Sequence, residues 1–253
     1  MRSKAPIFIL AAFLFCAYST RDNENIRFGA PEGGGKRLVK NGFVLSYDTA
    51  LKSPLWTSYY LKKENITLSG GSSGFFKADA SLKPAERLSR EDYPSTYEKC
   101  PMVPVRDMAY DKKAFSDAFL LTNVCLMSPE LKNKKWRELE DAVRYFVKKR
   151  GSAWIITGPV FDSKAKKQKR AGKSGIAVAA GFYKIVLYQS EDYAFHAIGF
   201  YMDNCADNLP LESYITGVSD IEARTKLVFF DSFPPEVQGI MKKKAVDRAF
   251  GGN

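Results

Sequence analysis

The sequence predicts a mixed domain of strands and helices, the α+β class, and two patterns support this. Short runs rich in apolar and β-branched residues occur at 43–47, 54–61, 154–160 and 195–202, as is typical of strands. Residues 128–150 instead carry apolar residues at helical spacing. With 253 residues and 45% hydrophobic content, the chain can bury a substantial core in one large domain or two small ones.

The amino end predicts a segment separate from the folded body. In residues 1–20, Arg2 and Lys4 precede an apolar run from Ile7 to Tyr18, which is too short for a comfortable membrane span. Taken alone, this pattern favours a secretory signal, and a mitochondrial leader is the alternative. Residues 21–41 are polar and contain three consecutive glycines, so they predict a linker and the start of the domain.

The body of the domain is predicted to span residues 42–240, followed by a basic tail at 241–253. Phe43–Tyr47 and the strand from Pro54 to Leu61 are separated by turn residues, which predicts a hairpin. A second helix is expected near residues 114–121. The helix at 128–150 should begin at Ser128, a capping hydroxyl followed by proline, and stop at Gly151.

The net charge, the cysteines and the single histidine limit the classes of function that the chain can have. The net charge of +11 favours a polyanionic partner, although a basic surface can also serve solubility alone. Of four cysteines, Cys16 lies in the leader, and the other three show no C-x-x-C spacing, which argues against a disulfide framework and a zinc site. The single histidine, His196, alternates with apolar residues in a strand and is expected to be structural.

The stretch at 92–108, DYPSTYEKCPMVPVRDM, is the most informative part of the chain. It resembles the active-site strand of the DNA/RNA non-specific endonucleases of the endonuclease G type, in which a D-Y-x-x-S-x-Y lead runs into D-R-G-H. The lead and the tail of that pattern are present here. The four central positions hold Glu98, Lys99, Cys100 and Pro101. The resemblance thus places the family's general-base histidine at Pro101, which has neither a titratable group nor an N–H.

The same resemblance extends along the predicted helix. Leu131, Trp136, Leu139, Glu140 and Arg144 match the family spacing without a gap. The asparagine that holds the metal in the family falls on Lys132, while Asn133 lies one place too late unless the backbone shifts. A charged lysine has no lone pair with which to ligate Mg²⁺.

Further matches complete the expected site. Glu140 is implied to lie near the water shell of the metal and Arg144 near phosphate, and at i and i+4 the two can pair. Asn123 closes a match to F-x-L-S/T-N and is implied to belong to the catalytic site. The family's phosphate-holding arginine falls on Gly74.

Several lysines are candidate contacts for nucleic acid. They are Lys99, Lys132 and three in the basic loop after residue 160, namely Lys164, Lys166 and Lys167. Lys132 can place a fixed positive charge where the metal would sit and hold a phosphate as a point charge. The alternative for each is an ordinary solvated lysine.

The resemblance implies a ββα-metal nuclease fold with a central antiparallel sheet flanked by helices, and Mg²⁺ as the family's cofactor, with none expected here. The expected function is a catalytically impaired member that binds DNA or RNA without sequence preference or pairs with an active relative. The alternatives are an active nuclease using substitutes such as Glu98 or Cys100, and a structural dimer partner without a nucleic-acid role. The resemblance favours mitochondria over secretion.

Overall fold

A seven-stranded antiparallel sheet forms the centre of the molecule. The computed structural model describes residues 23–67, 74–162, 167–205, 209–245 and 250. Its strands are β1 (Lys36–Lys40), β2 (Phe43–Asp48), β3 (Ser53–Lys62), β6 (Ser152–Val160), β9 (Gly181–Gln189), β10 (Phe195–Asp203) and β11 (Ile215–Thr216). They lie in the order β1-β2-β3-β6-β9-β10-β11, and every neighbouring pair is antiparallel.

Two small antiparallel ribbons and several helices surround this sheet. The ribbons pair β4 (Glu98–Pro101) with β5 (Val124–Met127), and β7 (Arg170–Ala171) with β8 (Ile176–Ala177). The helices are α1 (Lys112–Ala118), α2 (Pro129–Leu131), α3 (Arg137–Arg150), α4 (Val218–Thr225) and α5 (Pro235–Met241). Short 3-10 turns lie at Glu24–Ile26, Lys63–Asn65, Pro84–Glu86, Arg90–Asp92, Val105–Met108, Leu121–Asn123 and Leu211–Tyr214. The α+β class with a central antiparallel sheet is confirmed.

The sheet is buried on both faces, and this explains the apolar run of β6. Along this strand, Trp154 and Ile156 pack into one core cluster and Ile155 packs into the other. Successive side chains of a strand point to opposite faces, so both faces need apolar residues. Helix α3 covers the face of Ile155 and α4 covers the face of Trp154 and Ile156, which gives three layers.

The helix that carries the predicted site residues begins and ends as the sequence predicts. Ser128 Oγ accepts a hydrogen bond from the Leu131 N–H at 3.2 Å, and Gly151 ends α3 with a φ of 95°. Between α2 and α3 the chain makes a π-helical turn at Lys132–Trp136. Such turns are rare and frequently occur at functional sites.

Two boundaries differ from the predicted ones. Within the expected linker, β1 forms an edge strand in which only Leu38 is buried, so its sequence shows little apolar alternation. Phe28 also packs into the core. At the other end, Phe250 is buried, where it stacks on Phe146 and packs edge-on against Phe200. The packed domain therefore extends beyond 42–240 at both ends.

Two further expectations concern cysteines and membranes. Cys100 and Cys125 are buried free thiols, and Cys205 is an exposed one. Within the described ranges, no helix combines the length and apolar character needed to cross a bilayer. The predicted leader at 1–20 lies outside the described residues.

Candidate functional site

Strand β4 lies between helix α3 and a smaller apolar cluster, so its two faces have different surroundings. Cys100 is buried in the main core with α3, whereas the Lys99 ammonium lies 5.4 Å from the ring centroid of Tyr93 in the smaller cluster. Strand alternation places Pro101 on the same face as Lys99. Pro101 pairs with Val124 and remains half-buried.

Lys132 contacts the first of the four substituted positions. Its Nζ donates to Glu98 Oε2 at 3.0 Å, and both side chains keep part of their surface in solvent, 29% for Lys132 and 43% for Glu98. Asn133 is exposed. The π-helical turn therefore directs Lys132, rather than Asn133, against strand β4. Lys132, predicted to stand at the family's metal-ligand position, is thus paired with a carboxylate.

Burial raises the pKa of the Cys100 thiol well above its ordinary value. The nearby charge of Glu140 adds to this shift, whereas Lys132 and Lys184 oppose it. Burial also raises the pKa of the half-buried Glu140 to about 7, although Lys184 opposes this shift and Asp107 adds to it. A carboxyl group with that pKa changes protonation near neutral pH.

Lys184 is the buried cation of this group. It is 1% exposed on β9, and its Nζ donates to Thr157 Oγ1 at 2.8 Å. The ammonium also lies 4.9 Å from the ring centroid of Trp136, a favourable cation–π distance. Burial lowers the pKa of Lys184, while Glu140 acts in the opposite direction.

Arg144 forms ion pairs within the protein, and its buried partner is Asp107 rather than the expected Glu140. Its guanidinium donates to Asp107 at 2.8 Å and to Asp141 at 2.9 Å. Asp107 also accepts from the Tyr59 hydroxyl at 2.7 Å. Burial opposes the charged form, but Asp107 and the hydrogen bonds raise the pKa of Arg144 above its ordinary value. The expected Glu140–Arg144 pairing is replaced by a buried ion pair across two elements.

Asn123, a predicted site residue, hydrogen-bonds the backbone of two other segments of the chain. Its amide donates to the carbonyls of Val103 and Ala118 at 3.0 and 2.9 Å, and its Oδ1 accepts from the Val103 N–H at 2.9 Å. The side chain is fully buried. Asn123 thus holds the chain that follows Pro101, and its polar atoms are taken by backbone.

One polar cluster lies around β4 and α3 and is made of Tyr59, Glu98, Cys100, Asp107, Lys132, Glu140, Arg144 and Lys184. The remaining predicted residues lie apart from this cluster. Lys167 is exposed at the edge of the described loop, and Lys164 and Lys166 lie outside the described residues. His196 stacks on Tyr188, with ring centroids 5.3 Å apart, and its Nε2 lies 3.1 Å from Ser190 Oγ. Both contacts are those of a structural histidine.

Three residues of the cluster were not predicted as site members. Asp107 appears in the sequence only as part of a matching frame, and Tyr59 is one aromatic in a strand. Lys184 leaves a usable signal, since it is the one charged residue in the run FYKIV. A lone charge in a buried strand is expected to need partners.

The residues present do not fit the family's way of holding a metal ion. Mg²⁺ prefers oxygen ligands and keeps most of its waters, whereas Lys132 offers a cation that is already paired with Glu98. Among the described residues, no cluster of three histidine, cysteine, aspartate or glutamate side chains is arranged to hold a metal. No catalytic step is therefore assigned to a metal ion here.

Comparison with known proteins identifies the family. The model of the DNA/RNA non-specific endonuclease family matches residues 21–236. The chain belongs to this family. The sequence match spans both β4 and the helix with Glu140, so the cluster described above lies within the nuclease domain.

Individual relatives show how far the similarity extends. The chain is 24% identical over 258 residues to a nuclease of Serratia marcescens, covering 96% of each chain. It is 28% identical over 225 residues to the mitochondrial endonuclease G of Bos taurus, covering 79% of this chain and 75% of that protein. The crystal structure of an EndoG/EndoGI complex contains a chain that superposes with a TM-score of 0.79 at 25% identity, covering 90% of this chain and 99% of that one.

Proposed function

We propose that this non-specific endonuclease family member binds nucleic acid through its phosphates and has lost most of the family's hydrolytic activity. The observation that supports this best is the pair of substitutions at 101 and 132. Proline cannot act as a general base, a role that contributes roughly 10²–10⁴ in rate. Lys132 cannot ligate a cation and is paired with Glu98.

Binding of a polyanion is supported by charge and by accessibility. The chain carries a net charge of +11, and Lys167 and Lys169 are exposed. The Lys132–Glu98 pair is partly solvated, and such pairs contribute about 1 kcal/mol or less. A phosphate can therefore replace Glu98 as the partner of Lys132 with little loss of free energy. Because phosphate contacts release counterions, the affinity should fall as salt rises.

A second candidate function is an active nuclease, and one observation favours it. The pKa of Glu140 is about 7, which suits a group that accepts a proton at neutral pH. The substitutes expected from sequence are less suitable. Glu98 accepts a hydrogen bond from Lys132, and the Cys100 thiol is buried with a raised pKa.

Plasmid nicking separates the two candidates. Purified protein is incubated with supercoiled DNA and Mg²⁺ or Mn²⁺, beside Glu140→Gln and a Pro101→His, Lys132→Asn double variant. We expect no nicking by the natural chain and regained nicking by the double variant. Nicking by the natural chain that is lost in Glu140→Gln would overturn the proposal in favour of the active nuclease, and this loss would exclude a contaminating enzyme.

A gel-shift assay at low salt tests the binding half of the proposal. Retained binding with a steep salt dependence supports it. Absence of any shift would leave the role of a structural dimer partner, alone or with an active relative, which size-exclusion chromatography with and without that relative would detect. We also propose a mitochondrial location, with secretion as the alternative, and imaging of a carboxyl-terminal fluorescent fusion would distinguish them.

A further inference from the structure

Phe75 is an apolar ring that the fold leaves in solvent. It is 77% exposed, whereas its neighbour Phe76 packs edge-on against Phe119, with ring centroids 5.6 Å apart. The Arg90 guanidinium carbon lies 5.8 Å from the Phe75 centroid. An exposed ring beside a guanidinium presents two flat groups on which another aromatic ring can stack.

The same arrangement of cation and ring recurs along the segment that leads into β4. The Lys169 ammonium lies 5.7 Å from the ring centroid of the half-buried Tyr97. The Lys99 ammonium is similarly placed over Tyr93, at 5.4 Å. Two of these rings and two of the cations lie within residues 90–99, and Phe75 and Lys169 are contributed by two other loops.

A second loop adds charge to this segment. Ser174 Oγ donates to Asp92 Oδ1, and Gly172 lies so close to the Asp92 carbonyl oxygen that a Cβ at this position would clash with it. The turn at 172–175 therefore packs directly on the segment and positions the exposed Lys173 beside it. The carboxylate of Asp92 accepts hydrogen bonds from Ser174 and Ser89, so its oxygens are engaged within the protein.

We infer that Phe75, Arg90, Tyr97 and Lys169 form a subsite for single-stranded nucleic acid, in which unpaired bases stack on the rings and the cations contact phosphates. Duplex bases are already stacked on one another and cannot use such a platform. A purely apolar partner would not need interleaved cations, and a simple polyanion would not need the rings. The subsite presupposes the nucleic-acid binding proposed above.

Two ligands with the same phosphates separate stacking from charge. Fluorescence anisotropy in EDTA at low salt measures binding of labelled oligothymidylate of about 20 nucleotides, long enough to cover a typical single-strand site. The second ligand is a strand of equal length built of abasic residues. The variants are Phe75→Ala and, as matched control, Tyr145→Ala. Tyr145 is 54% exposed on α3 and has its own cation, Lys149, at 5.5 Å.

We expect Phe75→Ala to weaken binding of oligothymidylate about fivefold or more, the loss of one stacked base, and to leave abasic-strand binding within about twofold. Tyr145→Ala should change neither affinity. Unchanged oligothymidylate binding by Phe75→Ala would overturn the subsite while the proposed phosphate binding stands, and so would an equal loss for both ligands. If the natural chain binds neither ligand, the proposed function fails as well.

Discussion

Glu140 provides the sharpest test of the electrostatics of the cluster. Its pKa rises from an ordinary 4.5 to about 7, because burial disfavours the carboxylate more than the nearby cations favour it. The charged groups that act on it are Lys184, Asp107, Arg144 and Asp141. A folded-state pKa above the unfolded value means that the folded chain binds a proton which the unfolded chain releases, so stability falls as pH rises between the two values.

The size of the effect follows from the shift. With 1.36 kcal/mol for each pKa unit, ionised Glu140 costs about 3 kcal/mol of folding free energy at alkaline pH. Most of this cost, about 2–3 kcal/mol, develops between about pH 5 and about pH 9. The variant Glu140→Gln has no charge to bury, so its advantage over the natural chain should grow across that interval.

Urea unfolding at the two pH values measures this directly. We expect the free energy of unfolding of Glu140→Gln relative to the natural chain to increase by about 2–3 kcal/mol from about pH 5 to about pH 9. Glu138→Gln is the matched control, since Glu138 lies on the same helix with half of its side chain exposed and pairs with Lys135. A difference between Glu140→Gln and the natural chain that stays constant with pH would refute the assigned burial of Glu140.

Two further predictions concern the buried polar contacts. Asp107→Asn leaves the Arg144 charge without its buried partner and should lower the free energy of unfolding in urea by about 3–5 kcal/mol. As the control, Asp141→Asn removes the exposed partner of the same guanidinium and should lower it by less than about 1 kcal/mol. Equal losses for the two variants would contradict the geometry. Asn123→Ala removes three hydrogen bonds to backbone and should lower the thermal midpoint through a loss of about 2–4 kcal/mol, with the exposed Asn133→Ala as a control that changes stability by about 0.5 kcal/mol or less.

Much of the fold follows from local pattern. The hairpin of β2 and β3 was predicted from two apolar runs separated by turn residues, and the structure confirms it. The cap at Ser128 and the stop at Gly151 were likewise predictable, because capping depends on a few adjacent residues. Strand β1 was missed because an edge strand with one buried residue shows no strong alternation.

The tail shows a different limit of local pattern. Residues 241–253 are basic and end in glycines, and nothing nearby indicates that Phe250 is buried against Phe146 and Phe200. A single aromatic carries no periodicity. Its burial depends on a space between helix α3 and strand β10 that exists only after both have assembled.

The sequence alone predicts that Pro101 and Lys132 stand at positions of the family motif, because motif spacing is a property of the chain. The tertiary structure decided which atoms those residues and their neighbours contact. Helical spacing allows Arg144 to pair with Glu140, yet its buried partner is Asp107. Spacing determines the face on which a side chain lies, whereas the choice of partner depends on differences of a few ångströms between elements that are far apart in sequence.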